Sequence, residues 1–141
     1  MQNAPEVTGT YFEHDADIGI VGRGPTLERA LEEAARSVFA IMAEPAAVAP
    51  EAELRVEFQE PDPEFALVTW INLLLAKSRE RGLALCRFEL SRVQDGWRGR
   101  AWGAPWREGQ ERGTEVKGAT LTMLSVRQTT EGWEARCVVD V

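Results

Sequence analysis

Positive charge is the first scarcity. Sixteen lysines and arginines stand against 23 aspartates and glutamates, a formal net charge of -7 over 141 residues. That balance excludes a protein that grips phosphate backbones with a broad basic face, since such binding rests on Lys and Arg displacing condensed counterions. It directs attention to cations and protein partners. One counter-current runs through the middle of the chain, where Arg79, Arg81, Arg87, Arg92, Arg98 and Arg100 gather and leave room for a local basic patch. Cysteine is scarce too. Cys86 and Cys137 sit inside strand-like runs with no Cys-x-x-Cys spacing, which excludes the usual zinc and dithiol signatures and predicts two buried thiols. The single histidine, His14, has no serine or cysteine nucleophile motif beside it, so acyl transfer lacks support. Gly19, Gly22 and Gly24 miss the dinucleotide-loop spacing, and there is no phosphate-loop lysine followed by serine or threonine. The longest apolar concentration, Phe65 to Ala76, is broken by Thr69 and Asn72 and falls short of the roughly 20 residues of a membrane span. Met1 to Glu6 has neither a basic region nor an apolar run, so no secretory signal is expected and the location expected is cytoplasmic.

What is present reads as one α+β domain over residues 1–141, a mainly antiparallel β-sheet system packed with two α-helices. Strands are expected at Gly9 to His14 and Ile18 to Val21, with Gly22, Gly24 and Pro25 ending extension. Thr26 caps a helix whose apolar positions Leu27, Ala30, Leu31, Ala34, Val38, Ile41 and Met42 follow helical spacing. Its solvent side is read as Glu28, Arg29, Glu32, Glu33 and Arg36, and Pro45 closes it. Leu54, Val56 and Phe58 alternate as in a half-buried strand. Asp62-Pro63 opens and Gly82 stops a second helix of about 19 residues, apolar nearly all round and therefore central. Strand patterns follow at Leu83 to Val93, Trp97 to Trp102, Glu115 to Arg127 and Trp133 to Val141, with hairpin signals at Asp95-Gly96 and Glu131-Gly132. The polar stretch Gly103 to Gly113 reads as a mobile surface loop in which Trp106 could anchor a partner.

The chemistry concentrates at two places. His14-Asp15-Ala16-Asp17-Ile18-Gly19 packs two carboxylates and the only histidine beside an apolar strand, and Cys137-Val138-Val139-Asp140-Val141 ends another strand with an acid. An aspartate in a turn is commonly a cap, and an acid at a strand end commonly faces water. If the two segments meet, their oxygens raise one another's pKa unless a cation intervenes, and an all-oxygen donor set suits Ca²⁺, Mg²⁺ or Mn²⁺ rather than zinc. Glu115 and Lys117 share one face of an expected strand, as a surface ion pair or as the rim of the same site.

Taken together the chain resembles the archease family over nearly its full length. Three separated motifs carry the likeness: His14-Asp15-Ala16-Asp17-Ile18-Gly19 against a family His-Thr-Ala-Asp-Ile-Gly, Thr26-Leu27-Glu28-Arg29-Ala30 in the first helix, and Glu115-Val116-Lys117 with the Asp140-Val141 end. The resemblance implies a non-catalytic activator, not an enzyme. Its protein partner would be the RNA ligase that joins 3′-phosphate or 2′,3′-cyclic phosphate ends to 5′-hydroxyl ends in tRNA splicing and RNA repair. Activation would promote guanylylation of the ligase active-site histidine and allow multiple turnover. No stable nucleic-acid binding of its own and no membrane association are expected. The metal-binding residues it implies are Asp17, Asp140 and Val141, the last through its carboxylate or backbone oxygen, holding a divalent ion, Ca²⁺ first, with Mg²⁺ or Mn²⁺ as alternatives. His14, Asp15, Glu115 and Lys117 would lie behind them or touch the partner. Asp15 replaces the usual threonine, and Leu121-Thr122 stands where the family often has Tyr-His. The alternatives are a small metal-dependent phosphoesterase using the same acids to activate water, and a chaperone-like modulator of RNA-processing enzymes that relies on apolar surface.

Overall fold

A computed structural model describes the backbone of residues 11–14 and 17–141, with side chains from residue 17 onward. Eight strands and two helices follow in the order β1 (Tyr11–His14), β2 (Asp17–Gly24), α1 (Leu27–Met42), β3 (Ala52–Phe58), α2 (Pro63–Arg81), β4 (Leu83–Val93), β5 (Gly96–Pro105), β6 (Gly118–Ala119), β7 (Ser125–Thr129) and β8 (Gly132–Asp140). They form two antiparallel sheets. In the first, the order is β1-β2-β8-β6, with β7 also pairing along β8, and the second is β3-β5-β4. This is the expected α+β architecture.

Local chemistry sets both helix starts. The Thr26 hydroxyl accepts the Arg29 N–H at 3.2 Å, and the Asp62 carboxylate accepts the Glu64 N–H at 2.8 Å, each satisfying a donor that the first helical turn leaves free. Gly82, at φ 65°, takes the left-handed conformation that ends α2 after 19 residues. The α1 helix lies between the sheets, touching β2, β4 and β8, and α2 packs beside it. The Trp70 indole N–H of α2 donates to the Leu31 carbonyl of α1 at 3.1 Å, so the largest buried side chain carries its polar atom to a partner. The ring leaves no room beneath it. A Cβ at Gly99 of β5 would stand 2.2 Å from Trp70 Cζ3, so only glycine lets β5 pass under the indole.

Several expectations are corrected. The β2 strand continues through Gly22 instead of stopping there, because α1 crosses so closely that a Cβ at Gly22 would stand 2.3 Å from the Ala30 carbonyl oxygen. Glu32 belongs to the interior, not the solvent side of α1. It is buried, accepts the Leu90 N–H of the edge strand β4 at 2.8 Å, and is neutralised by Arg29 at 3.0 Å. A free strand edge is thereby covered by a side chain from the other layer. The α2 helix is central on one side only, since Phe65, Asn72 and Arg79 form an exposed stripe at seven-residue spacing. The strand expected over Glu115 to Arg127 is broken into β6, a turn at 120–124 and β7. The segment Gly103 to Gly113 is partly strand, and its end docks on α1: the Gly113 and Thr114 N–H groups donate to the Met42 and Ile41 carbonyls at 2.8 and 3.1 Å. Those are orphan carbonyls of a helix end without its own glycine cap, and the loop satisfies them. Trp106 packs against the small cluster of Ala43, Val48, Ala84 and Ala104 with the Arg112 guanidinium 3.9 Å over its ring, so it is not a free anchor. Both cysteines are free, but only Cys137 is buried as expected, its thiol pushed up to about 12, whereas Cys86 on β4 is half-buried. Among the described residues no helix is long and apolar enough to cross a membrane.

Candidate metal centre

Strand register decides which acids can meet. The β2 and β8 strands pair with Ile18 opposite Val139, Gly19 opposite Val138 and Ile20 opposite Cys137. Carried one residue further, this register sets Asp17 opposite Asp140. Side chains alternate along a strand, and Ile18, Ile20, Cys137 and Val139 all enter the main core, so Asp17 and Asp140 share the opposite face with Val21 and Val138. Directly opposed residues hold their Cβ atoms about 4.5–5.5 Å apart, and like charges in that arrangement repel. Asp17 is half-buried and Asp140 exposed.

The other edge of Asp140 is held by the segment leading into β6. Gly118 pairs opposite Asp140, and the Lys117 N–H donates to the Asp140 carbonyl at 2.8 Å. A two-residue strand has little ladder of its own, and α2 supplies the rest. Arg79 Nη2 donates to the Val116 and Lys117 carbonyls at 2.7 and 2.8 Å, and the Asn72 Oδ1 accepts the Ala119 N–H at 2.8 Å. Two side chains on one helical stripe thus fix the strand that backs the acid. Sequence reading missed both: Asn72 looked like a mere interruption of an apolar helix and Arg79 like one member of a basic run.

The remaining members of the expected site divide. Val141 is half-buried and its side chain packs against the main core, leaving its backbone beside Asp140. Lys117 adjoins Asp140 through its backbone. Glu115 is exposed and lines a separate cavity of about 490 Å³ between the carboxyl ends of the helices, with Arg79, Arg112, Trp106 and Leu75. Neither residue lies in a strand, and no ion pair joins them among the described residues. The His14 backbone pairs opposite Asp17, and Asp15 lies outside the described residues.

Among the described residues no Lys or Arg is bridged to Asp17 or Asp140, and no three His, Cys, Asp or Glu side chains converge. The chemistry of these residues, two carboxylates and the oxygens of Val141, is that of hard oxygen donors, the kind a divalent cation such as Ca²⁺ takes. The remaining arginines of the middle third are spent elsewhere. Arg87 and Arg100 flank Glu89 at 3.2 and 3.0 Å, Arg98 meets Glu57 at 3.0 Å, and Arg81 donates to the Glu53 carbonyl at 2.8 Å. That distribution replaces the basic patch with an alternating charged surface.

Comparison with known proteins agrees with this architecture. Residues 10–141 match the model of the archease protein family (MTH1598/TM1083). The chain is 30% identical over 137 residues to protein archease of Methanosarcina mazei, covering 93% of this chain and 94% of that one. It is 34% identical over 134 residues to protein archease of Saccharolobus solfataricus, covering 93% and 96%. The solution structure of Methanobacterium thermoautotrophicum protein 1598 superposes with a TM-score of 0.74 at 28% identity, covering 93% of this chain and 96% of that one. With the two-sheet topology already in place and the family model matched over residues 10–141, the conclusion is that the chain belongs to the archease family.

Proposed function

We propose that this protein is a non-catalytic activator of the RNA ligase that joins 3′-phosphate or 2′,3′-cyclic phosphate ends to 5′-hydroxyl ends, acting in tRNA splicing and RNA repair. It promotes guanylylation of the ligase active-site histidine and so supports multiple turnover. What supports this reading, beside the family, is the β2–β8 register, which carried one residue past Ile18 and Val139 sets Asp17 opposite Asp140, neither bridged to a Lys or Arg among the described residues. Asp17, Asp140 and the oxygens of Val141 would hold the divalent ion, Ca²⁺ first and Mg²⁺ or Mn²⁺ as alternatives. When bound, that ion supplies positive charge able to meet phosphate oxygens. The chain's own residues do the positioning. The β2–β8 register fixes the two carboxylates, and Arg79 and Asn72 fix β6 behind Asp140.

A guanylylation time course of such a ligase, with and without this protein and with each divalent ion, tests the reading. Stimulation that needs the ion and disappears with Asp17→Asn or Asp140→Asn is expected. Unchanged ligase turnover with either variant would count against it, and phosphoester hydrolysis by the protein alone would favour an enzyme.

A further inference from the structure

The cavity of about 490 Å³ between the carboxyl ends of the helices includes neither Asp17 nor Asp140 in its lining. Its size falls in the range of small-molecule sites. Phe39, Leu75, Leu83 and Leu85, all buried, make an apolar floor, and the half-buried Trp106 ring adds an aromatic surface. The walls are tied down. At one end of the segment 106–114 the Trp106 N–H donates to the Gly82 carbonyl at 3.1 Å, and at the other the Gly113 and Thr114 N–H groups hold the end of α1. A recess fixed at both ends is preformed, so its occupant does not bear the entropy of ordering it.

The charged groups of the lining decide what the cavity holds. Two guanidiniums, Arg79 and Arg112, stand against one carboxylate, Glu115, a local positive excess in a chain of net charge -7. Neither arginine is bridged to a carboxylate among the described residues. The Arg112 guanidinium stands 3.9 Å from the Trp106 ring centroid, a contact with the ring face that leaves its N–H donors without an acceptor among the described residues. Arg79 donates twice through Nη2 to neutral carbonyls, which leaves Nη1, Nε and its charge unmatched. Carbonyls at helix carboxyl ends would instead favour a cation, but here they are taken. Those of Ile41 and Met42 accept from Thr114 and Gly113, that of Arg79 accepts from Gly82 at 3.1 Å, and that of Gly82 accepts from Trp106. The Ser78 hydroxyl is spent as well, donating to the Leu75 carbonyl at 3.1 Å.

We propose that this cavity binds a small aromatic carboxylate, its ring on the apolar floor beside Trp106 and its carboxylate accepting from the Arg112 guanidinium, with Arg79 adding positive charge. Glu115, a like charge in the same lining, weakens that binding. The site stands or falls independently of the activator reading, since no step of the argument uses the acidic pair.

Three compounds that share one ring system and differ in charge test it: 1-naphthoate, 1-naphthalenemethanol and 1-naphthylmethylammonium. Each is titrated into the full chain, and binding is followed by NMR at the Trp106 indole N–H, assigned through Trp106→Phe. Saturable shifts at that proton are expected, with naphthoate binding tightest and the ammonium at least about tenfold weaker. Arg112→Gln should weaken naphthoate about tenfold and remove its advantage over the alcohol, whereas Glu115→Gln should tighten it. If Arg112→Gln lowers the melting temperature, the exposed Glu115→Gln decides by the sign of its effect. Alcohol or ammonium binding as tight as that of naphthoate overturns the proposal. So do shifts that bypass Trp106, a naphthoate affinity indifferent to Glu115→Gln, or a lack of saturable binding by all three compounds.

Discussion

Strand β8 carries a carboxylate near each end of the same face, and the two are treated in opposite ways. Glu134 is buried and ringed by Arg23, Arg127 and Arg136, each at 3.3 Å. Burial pushes its carboxyl up, but the guanidiniums of Arg136, Arg127 and Arg23 together outweigh that and hold it below its ordinary value. Asp140, six residues on, is opposed by another aspartate and bridged to no cation among the described residues. One acid is solved inside the molecule. The other faces solvent. The contrast teaches that the acidic corner is not simply a by-product of a negative chain, because the same strand shows how three arginines can be recruited when an acid is structural.

The largest effect that could break this contrast is functional. Asp17→Asn or Asp140→Asn should bring ligase guanylylation down to its unassisted rate while the fold persists, read by the same time course alongside thermal unfolding. Next comes the structural end. Glu134→Gln leaves three guanidiniums facing a neutral amide and should cost about 1–3 kcal/mol in denaturant unfolding, with no loss of divalent binding. Arg79→Ala removes two charged hydrogen bonds, one to the part-buried Val116 carbonyl and one to the exposed Lys117 carbonyl, and should cost about 1–3 kcal/mol. Faster hydrogen exchange at Lys117 and Ala119 would report it, and Arg79→Lys should recover part of the protection.

Acid titration sharpens the comparison further. Because the folded Glu134 carboxyl lies below its unfolded value near 4.5, its stabilising contribution is complete above that value and is lost as pH falls through the folded one. Glu134→Gln should therefore flatten the fall in stability below about pH 4.5. The smallest expected change has the opposite sign. Without divalent ions, Asp17→Asn should stabilise the fold by about 0.2–1 kcal/mol through relief of cross-strand repulsion, and saturating Ca²⁺ should reverse the order of melting temperatures.

Elements whose signals are local were legible in the sequence. Thr26, Asp62 and Gly82 mark helix ends by side-chain or backbone chemistry within a few residues, and all three hold. Both hairpins also form, with Val93 paired to Gly96 and Thr129 to Gly132. What was not legible depends on partners distant in the chain. Alternation from Glu115 to Arg127 resembles one strand, yet its ladder is partly replaced by Arg79 and Asn72 of α2, which no local pattern reveals. Glu32 looks solvent-facing until the β4 edge arrives above it, and Gly22 looks like a stop until α1 crosses it. At the candidate site the acids were visible, but spacing could not choose Asp17 over Asp15. Carrying the β2–β8 register one residue on sets Asp17 opposite Asp140, while Asp15 lies outside the described residues.

The buried thiol of Cys137 has a practical corollary. It is fully enclosed in the strand that bears both contrasting acids, and its ionisation is pushed to about 12, so a thiol-reactive dye reaches it only when that strand opens. With Cys86 replaced by serine, the labelling rate becomes a clock for the opening of β8 itself, to be compared with and without an added divalent ion.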